Sequence, residues 1–191
     1  MIGFLSHKFS VWNRNRKLKL IEEYISDLRI ESCLIVGAKS NAGEFFFDNL
    51  IEKHLVELIP NTLVTGVDEI STYWNHWQKI DGREMKFQDQ EFDFVFSNAV
   101  IEHVGDELDQ KKFISEHARV GRYWVLTTPN RFFPIESHTQ KIFVHFRRGW
   151  RHSDITRLLS KKDLIKIVPG TSRIKGSWFS PTFFVFKSKE S

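Results

Sequence analysis

Short apolar runs alternate with longer amphipathic segments along the chain, a pattern typical of a sheet whose strands are connected by helices. Apolar runs at residues 33–36, 61–68, 92–96 and 123–128 predict strands of a buried, parallel sheet. Apolar residues at helical spacing predict helices between them. These helices are predicted at residues 18–28, from near residue 43 to about 58, and at 107–120 with Asp106 as the N-cap.

The C-terminal part of the chain departs from this alternation. Ser160 and Asp163 have the spacing of a capping box, which predicts the start of a short helix. Residues 171–175 and 182–187 then predict two strands joined by a turn that contains glycine. The predicted fold class is therefore α/β, with a Rossmann-like, doubly wound, mostly parallel sheet that ends in an antiparallel hairpin.

Small and polar residues stand where the predicted strands end. The turn at residues 37–43 begins and ends with glycine, and Ser97 and Asn98 follow another strand. In open α/β sheets, ligands bind outside the carboxyl ends of the strands. Asp68 ends the second strand, where a carboxylate can accept two hydrogen bonds from a ribose diol or cap a helix. The turn and Asp68 thus each leave two interpretations open, a nucleotide site or an ordinary strand–helix connection.

Two stretches of the sequence resemble a known family. Residues 92–104 read FDFVFSNAVIEHV, and residues 129–139 read PNRFFPIESHT. Both resemble class I S-adenosylmethionine-dependent methyltransferases, in particular the type 11-like small-molecule branch. The resemblance covers roughly residues 33–187. It implies the class I methyltransferase fold, with S-adenosyl-L-methionine as the cofactor.

The resemblance also implies which residues bind the cofactor. It assigns Asp68 to the ribose and Asp81 to the adenine amino group. The sequence departs from the family at the glycine turn, where Lys39 and Asn41 replace glycines and Ile35 replaces an acid. The complete cofactor-binding set that it implies is Gly37, Ala38, Asp68, Asp81, Gly82 and Asn98.

Methyl transfer requires positioned reactants and, for some acceptors, the removal of a proton. His103 is a candidate base because histidine titrates near neutral pH, and Glu136 and His138 are the other candidate catalytic residues. Segment 129–160 is predicted to be an acceptor-side insertion whose arginines suit an anionic headgroup. Two plainer interpretations remain open. His103 holds its own loop in place, and the segment merely covers the sheet with its arginines in solvent.

The charge distribution narrows the choice of acceptor. The net charge of +4 conceals 12 Lys+Arg against 3 Asp+Glu in residues 141–191, so the rest of the chain carries −5. Such a basic segment indicates an anionic acceptor, a membrane surface, a nucleic acid or simply a solvated basic face. The sequence lacks the motifs of amino and C5 methylation of nucleic-acid bases. A nucleic-acid methyltransferase is therefore the alternative, not the expected function.

Composition predicts one domain over residues 1–191, with a helical lead-in at residues 1–30. The one cysteine, Cys33, excludes an internal disulfide, and no apolar run reaches the roughly 18 residues of a membrane span. No secretory signal and no metal-binding motif is expected, so the predicted location is cytoplasmic. The predicted function is methyl transfer to a small or anionic lipid-linked acceptor, by a monomer or homodimer with contact to the membrane surface. A non-catalytic domain with weakened cofactor binding is a further alternative, because the glycine turn is incomplete.

Overall fold

The computed structural model of the chain contains a seven-stranded sheet with helices on both faces. It describes residues 2–41, 49–135, 141–146 and 155–189, with side chains described from residue 8 onward. The helices are α1 (Ile2–Ile25), α2 (Leu50–Leu58), α3 (Glu107–Val120) and α4 (Lys161–Ile167), with 3-10 turns at Ile101–His103 and Val144–Phe146. The strands are β1 (Ser32–Val36), β2 (Asn61–Gly66), β3 (Trp77–Lys79), β4 (Phe92–Asn98), β5 (Gly121–Pro129), β6 (Ser172–Lys175) and β7 (Thr182–Lys187).

The strands lie in the order β3-β2-β1-β4-β5-β7-β6. Neighbouring strands are parallel except at β7, which is antiparallel to both β5 and β6. The chain runs outward from β1 to β2 and β3, and then returns to β4 and continues in the other direction. Strands β1 and β4 therefore form the switch point at which open α/β sheets bind ligands. This topology confirms the predicted doubly wound sheet with an antiparallel end.

Successive side chains of β4 point to opposite sides of the sheet. Because helices cover both sides, the strand is buried on both faces. Phe94 and Phe96 belong to the core that also contains Ile21 of α1 and Ile51 of α2. Val95 belongs to the second core, which contains Phe113 of α3. The aromatic run that predicted a buried strand is therefore the centre of the sheet, and it carries its polar end to the switch point.

Helix α1 is longer than the sequence predicted. The apolar spacing predicted a regular helix only at residues 18–28 of the helical lead-in 1–30, but α1 begins at Ile2 and ends at Ile25. The basic segment before Leu18 is helical because Lys and Arg are good helix formers and no Gly or Pro follows Gly3 until Gly37. As a result, α1 extends far enough to reach the functional edge of the sheet.

Local capping signals were predicted correctly. Helix α3 spans Glu107–Val120, and the Asp106 carboxylate accepts hydrogen bonds from the Leu108 and Asp109 backbone amides. Ser160 and Asp163 form the predicted capping box at the start of α4. Helix α2 ends at Leu58 as expected, whereas its predicted start near residue 43 lies outside the described residues. Among the described helices, none combines the length and the apolar character needed to cross a bilayer.

Candidate functional site

The switch point brings Gly37 and Asn98 together. Ile35 of β1 pairs with Phe96 of β4, so Gly37 and Asn98, each two residues further along its strand, lie side by side at the carboxyl ends of the two strands. Gly37 has a φ of 81°, which favours glycine. A Cβ atom on it would lie 2.6 Å from a methyl carbon of Val100, so the turn after β1 packs closely on the loop after β4.

The turn after β1 is fixed to strand β2 and to the loop that follows it. The backbone amides of Gly37 and Ala38 both donate to the Thr65 carbonyl, each at 2.9 Å. The Ser40 hydroxyl donates to Asp68 Oδ2 at 2.5 Å. Asp68 is exposed and lies two residues beyond the end of β2. The structure therefore places this predicted ribose-binding carboxylate beside the turn, on the open side of the sheet edge.

Asn98 is the centre of a polar cluster that the sequence did not predict. Its Oδ1 atom accepts hydrogen bonds from Lys17 Nζ of α1 at 2.5 Å and from Thr127 Oγ1 of β5 at 2.8 Å. Its Nδ2 atom donates to Glu52 Oε1 of α2 at 3.0 Å. Lys17 is 7% exposed and Glu52 is 6% exposed. Two helices thus bring opposite charges to the end of β4.

The charge of Lys17 is strongly affected by this environment. Burial is the main cause that lowers the pKa of the Lys17 ammonium to about 8, and the nearby Arg14 charge lowers it further. The carboxylates of Glu52 and Glu102 act in the opposite direction. Lys17 therefore remains largely protonated at neutral pH, and both carboxylates lie close enough to influence it.

Glu102 and His103 occupy the 3-10 turn that follows the end of β4. Glu102 is fully buried, and its Oε2 atom accepts a hydrogen bond from Thr128 Oγ1 at 3.1 Å. Its backbone carbonyl accepts hydrogen bonds from the Thr156 and Arg157 amides, which attach the segment 155–189 to this turn. His103 is half-buried beside it. The other two candidate catalytic residues, Glu136 and His138, lie outside the described residues.

Asp81 and Gly82 follow β3 at the same edge of the sheet. Asp81 forms an ion pair with Arg83 at 2.6 Å, and the hydrogen bond from Arg83 is the main cause that lowers the pKa of the Asp81 carboxyl. A Cβ atom on Gly82 would lie 2.5 Å from the Phe113 ring. Gly82 therefore has a packing reason to be glycine that is independent of any ligand.

The charged and hydrogen-bonding groups at this edge of the sheet fit S-adenosylmethionine. A ribose diol needs a carboxylate acceptor, which Asp68 presents to solvent. The amino-acid end of the cofactor carries an ammonium and a carboxylate, and the cluster around Asn98 contains one carboxylate from Glu52 and one ammonium from Lys17. The turn fits less closely, because the first two amides after β1 already donate to Thr65.

Sequence reasoning missed Lys17, Glu52 and Thr127 as members of the site. One signal was present, because Lys17 lies four residues before Ile21 and Ile21 four before Ile25, both of which are buried. A lysine on the apolar stripe of a helix is unusual, since lysine is rarely buried without a partner. Its partner, however, lies 81 positions away in the sequence.

Exposed aromatic side chains lie in the segment that follows β5, in the segment 141–146 and in the turn between β6 and β7. The Asn130 side chain donates to the carbonyls of Trp178 and Ser180, which joins the segment after β5 to the β6–β7 turn. The Phe143 amide donates to the Pro134 carbonyl and so attaches the segment 141–146. We call the five exposed aromatic residues of these segments the aromatic rim: Phe132, Phe143, Phe146, Trp178 and Phe179.

Comparison with known proteins agrees with this geometry. A family model described as a methyltransferase domain matches residues 54–123. A SAM-dependent methyltransferase from Thermotoga maritima has a similar fold, with a TM-score of 0.62, 13% identity and coverage of 98% of this chain and 93% of that one. No curated protein matches the chain at the level of sequence.

Two further solved structures have the same fold. Magnesium protoporphyrin IX methyltransferase from Synechocystis, with bound SAH, gives a TM-score of 0.55 at 13% identity and covers 92% of this chain and 84% of that one. The YcgJ protein from Bacillus subtilis gives a TM-score of 0.58 at 15% identity. The similarity covers 80% of this chain and 66% of YcgJ, so the chain spans about two thirds of that protein. At these identities, the similarity shows the fold.

Proposed function

We propose that this chain, a class I S-adenosylmethionine-dependent methyltransferase, transfers the methyl group of its cofactor to a small or lipid-linked acceptor. The observation that carries the proposal is the convergence at one switch point of Gly37, Asn98 and the Asp68 carboxylate. This is the position at which a doubly wound sheet binds a nucleotide. The methyltransferase-domain match includes both Asp68 and Asn98.

Each group at the edge has a proposed role toward the cofactor. Asp68 accepts hydrogen bonds from the ribose hydroxyls, and Asp81 and Gly82 lie beside the adenine. Gly37, Ala38 and Asn98 hold the opposite end of the molecule. When bound, S-adenosylmethionine supplies a methyl group that its sulfonium has already activated. The chain then has to align the acceptor, exclude water and, where the acceptor requires it, take a proton.

We propose His103 as the group that takes this proton. It lies in the turn that follows the end of β4, and the buried Glu102 beside it fixes that turn through its bond to Thr128. A half-buried imidazole in this position is open to an acceptor while its backbone is held. Glu136 and His138 remain candidates from the sequence for the same role.

The acceptor side of the proposed site is the segment 129–160, together with the turn between β6 and β7. The side chains of the aromatic rim are 49–66% exposed, and all but Phe132 belong to residues 141–191, which hold 12 Lys+Arg against 3 Asp+Glu. Exposed aromatic residues beside a basic surface suit a lipid-linked, anionic acceptor at a membrane surface. This combination favours a lipid-linked acceptor over a freely soluble one. The buried, single Cys33 is consistent with a cytoplasmic location, which we include in the proposal.

A non-catalytic domain of the same fold is the second candidate. One observation favours it: the amides of Gly37 and Ala38 both bond to Thr65, and Lys39 stands where the family has glycine. Such a turn contributes fewer backbone donors to a ligand. The two candidates differ in turnover, not in fold.

Transfer of a tritiated methyl group distinguishes these candidates. The native chain is incubated with tritium-labelled cofactor and a cell extract, and the label is then measured in lipid, small-molecule, protein and nucleic-acid fractions. We expect label in the lipid or small-molecule fraction, lost in Asp68→Ala and kept in Glu69→Ala, a substitution of its exposed neighbour. Label in nucleic acid would contradict the proposed acceptor. Cofactor binding without label in any fraction would support the non-catalytic candidate instead.

A further inference from the structure

Lys17 and Glu52 occupy equivalent positions on the two sides of one amide. The Asn98 side chain accepts a hydrogen bond from Lys17 through its oxygen and donates one to Glu52 through its nitrogen. The two charged residues come from different helices, α1 and α2, and both are more than nine-tenths buried. We call these three residues the charge clamp.

Burying two charges is costly for a protein unless other interactions compensate for it. A core built only for stability could place apolar residues of similar volume at both positions. The chain does so close by, at Ile21, one helical turn after Lys17, and at Ile51, next to Glu52. The clamp does not lie in the middle of the core but at the carboxyl end of β4, beside Gly37. Its position is therefore that of a ligand-binding group.

The clamp also supplies an acid that strand β1 lacks. Residue 35, where the family has an acid, is an isoleucine that is 1% exposed and packs in the core with Phe94 and Phe96. An acid is thus absent from the strand, but Glu52 brings one to the same side of the sheet from α2. Lys17 adds a buried cation, whereas the cation of the turn itself, Lys39, is exposed.

We infer that the charge clamp binds the amino-acid end of the cofactor, with Lys17 facing its carboxylate and Glu52 facing its ammonium group. The inference rests on the proposed function, because it assumes that S-adenosylmethionine is the ligand. A zwitterion matches a fixed pair of opposite charges better than either charge alone, and charged hydrogen bonds are the strong ones. The chain then recognises the two charges of the amino-acid end through side chains of two helices, in addition to the contacts proposed for Gly37 and Ala38 of the turn.

Two ligands that differ only in this end test the inference. SAH carries the amino-acid end, whereas 5′-methylthioadenosine keeps the adenosine and the sulfur and lacks both charges. We expect Lys17→Met and Glu52→Gln each to weaken SAH binding about tenfold or more in calorimetry. Both variants should bind 5′-methylthioadenosine within about twofold of the native chain. Lys19→Met and Glu57→Gln, at exposed positions of the same two helices, should behave as the native chain with both ligands.

The outcomes separate this inference from the proposed function. If the native chain binds SAH and the clamp variants bind it equally well, the clamp assignment is wrong and the function stands. Equal losses for both ligands in variants with native circular dichroism would also overturn the assignment. If the native chain binds neither ligand, the proposed function fails and the assignment fails with it. Where a clamp variant does not fold, the native chain alone still decides, because equal affinities for SAH and 5′-methylthioadenosine would exclude the clamp.

Discussion

Phe94→Ala should lower the free energy of unfolding by about 3–5 kcal/mol, the largest effect expected of any single substitution discussed for this chain. Phe94 is fully buried in the middle of β4 and lies 6.4 Å from the Phe96 ring, with an interplanar angle of 17°. Removing its ring leaves a cavity between the sheet and α1, which the backbone of a central strand cannot close.

Urea unfolding followed by circular dichroism measures this change. The midpoint should fall while the slope of the transition stays the same, because the surface exposed on unfolding is nearly unchanged. Phe132→Ala is the matched control, since Phe132 is 51% exposed and its loss should change the stability by less than about 0.5 kcal/mol. A loss below about 1 kcal/mol for Phe94→Ala would show that β4 is not the central strand.

His117 should make the protein sensitive to mild acid. Burial lowers the pKa of His117 to about 4 from its ordinary 6.5. The imidazole Nδ1–H donates to the Phe113 carbonyl at 2.8 Å, and Nε2 has no hydrogen-bond partner among the described residues. The folded protein therefore holds His117 neutral at a pH at which the unfolded chain already protonates it.

The sign of the pH effect follows from this depressed pKa. Above pH 6.5, His117 does not lower the free energy of unfolding. As the pH falls toward 4, the free energy of unfolding decreases, because the unfolded state then binds more protons than the folded state. Between pH 7.5 and 4.5 this residue alone should remove about 2–3 kcal/mol from the free energy of unfolding.

Urea unfolding of the native chain and of His117→Leu over this pH range isolates the effect. Carboxylates also change stability in acid, so the difference between the two proteins is the quantity to follow. The variant should lose clearly less stability than the native chain. His76→Gln, at an exposed position, should follow the native chain. Parallel curves for the native chain and His117→Leu would show that His117 is not buried in its neutral form.

Elements with local signals were predictable from the sequence. Helix α3 has its start encoded by Asp106, whose carboxylate caps two backbone amides, so the predicted and observed bounds coincide. The capping box at Ser160 and the apolar run of β7 are equally local. Helix α1 was different, because the part before Leu18 carries no capping signal and regular apolar spacing starts only at Leu18, Ile21 and Ile25.

The candidate site was predictable only in part. Gly37, Asp68 and Asn98 stand at strand ends, and the order of strands brings strand ends to one edge. The partners of Asn98 could not be found in this way, because Glu52 and Lys17 are 46 and 81 positions distant and come from helix faces. Helices add side chains to a strand end through packing, which hydrophobic periodicity does not specify residue by residue.

Calorimetric titration of the native chain with SAH measures cofactor binding at the switch point most directly. We expect one site per chain with a dissociation constant on the order of micromolar, weakened roughly 10- to 100-fold in Asp68→Ala by the loss of charged hydrogen bonds to the ribose. Glu69→Ala, which removes an exposed neighbouring carboxylate and its ion pair with Lys79, should bind SAH as the native chain does. A folded native chain that gives no binding heat with SAH up to about 1 mM would contradict the assignment of this site to S-adenosylmethionine.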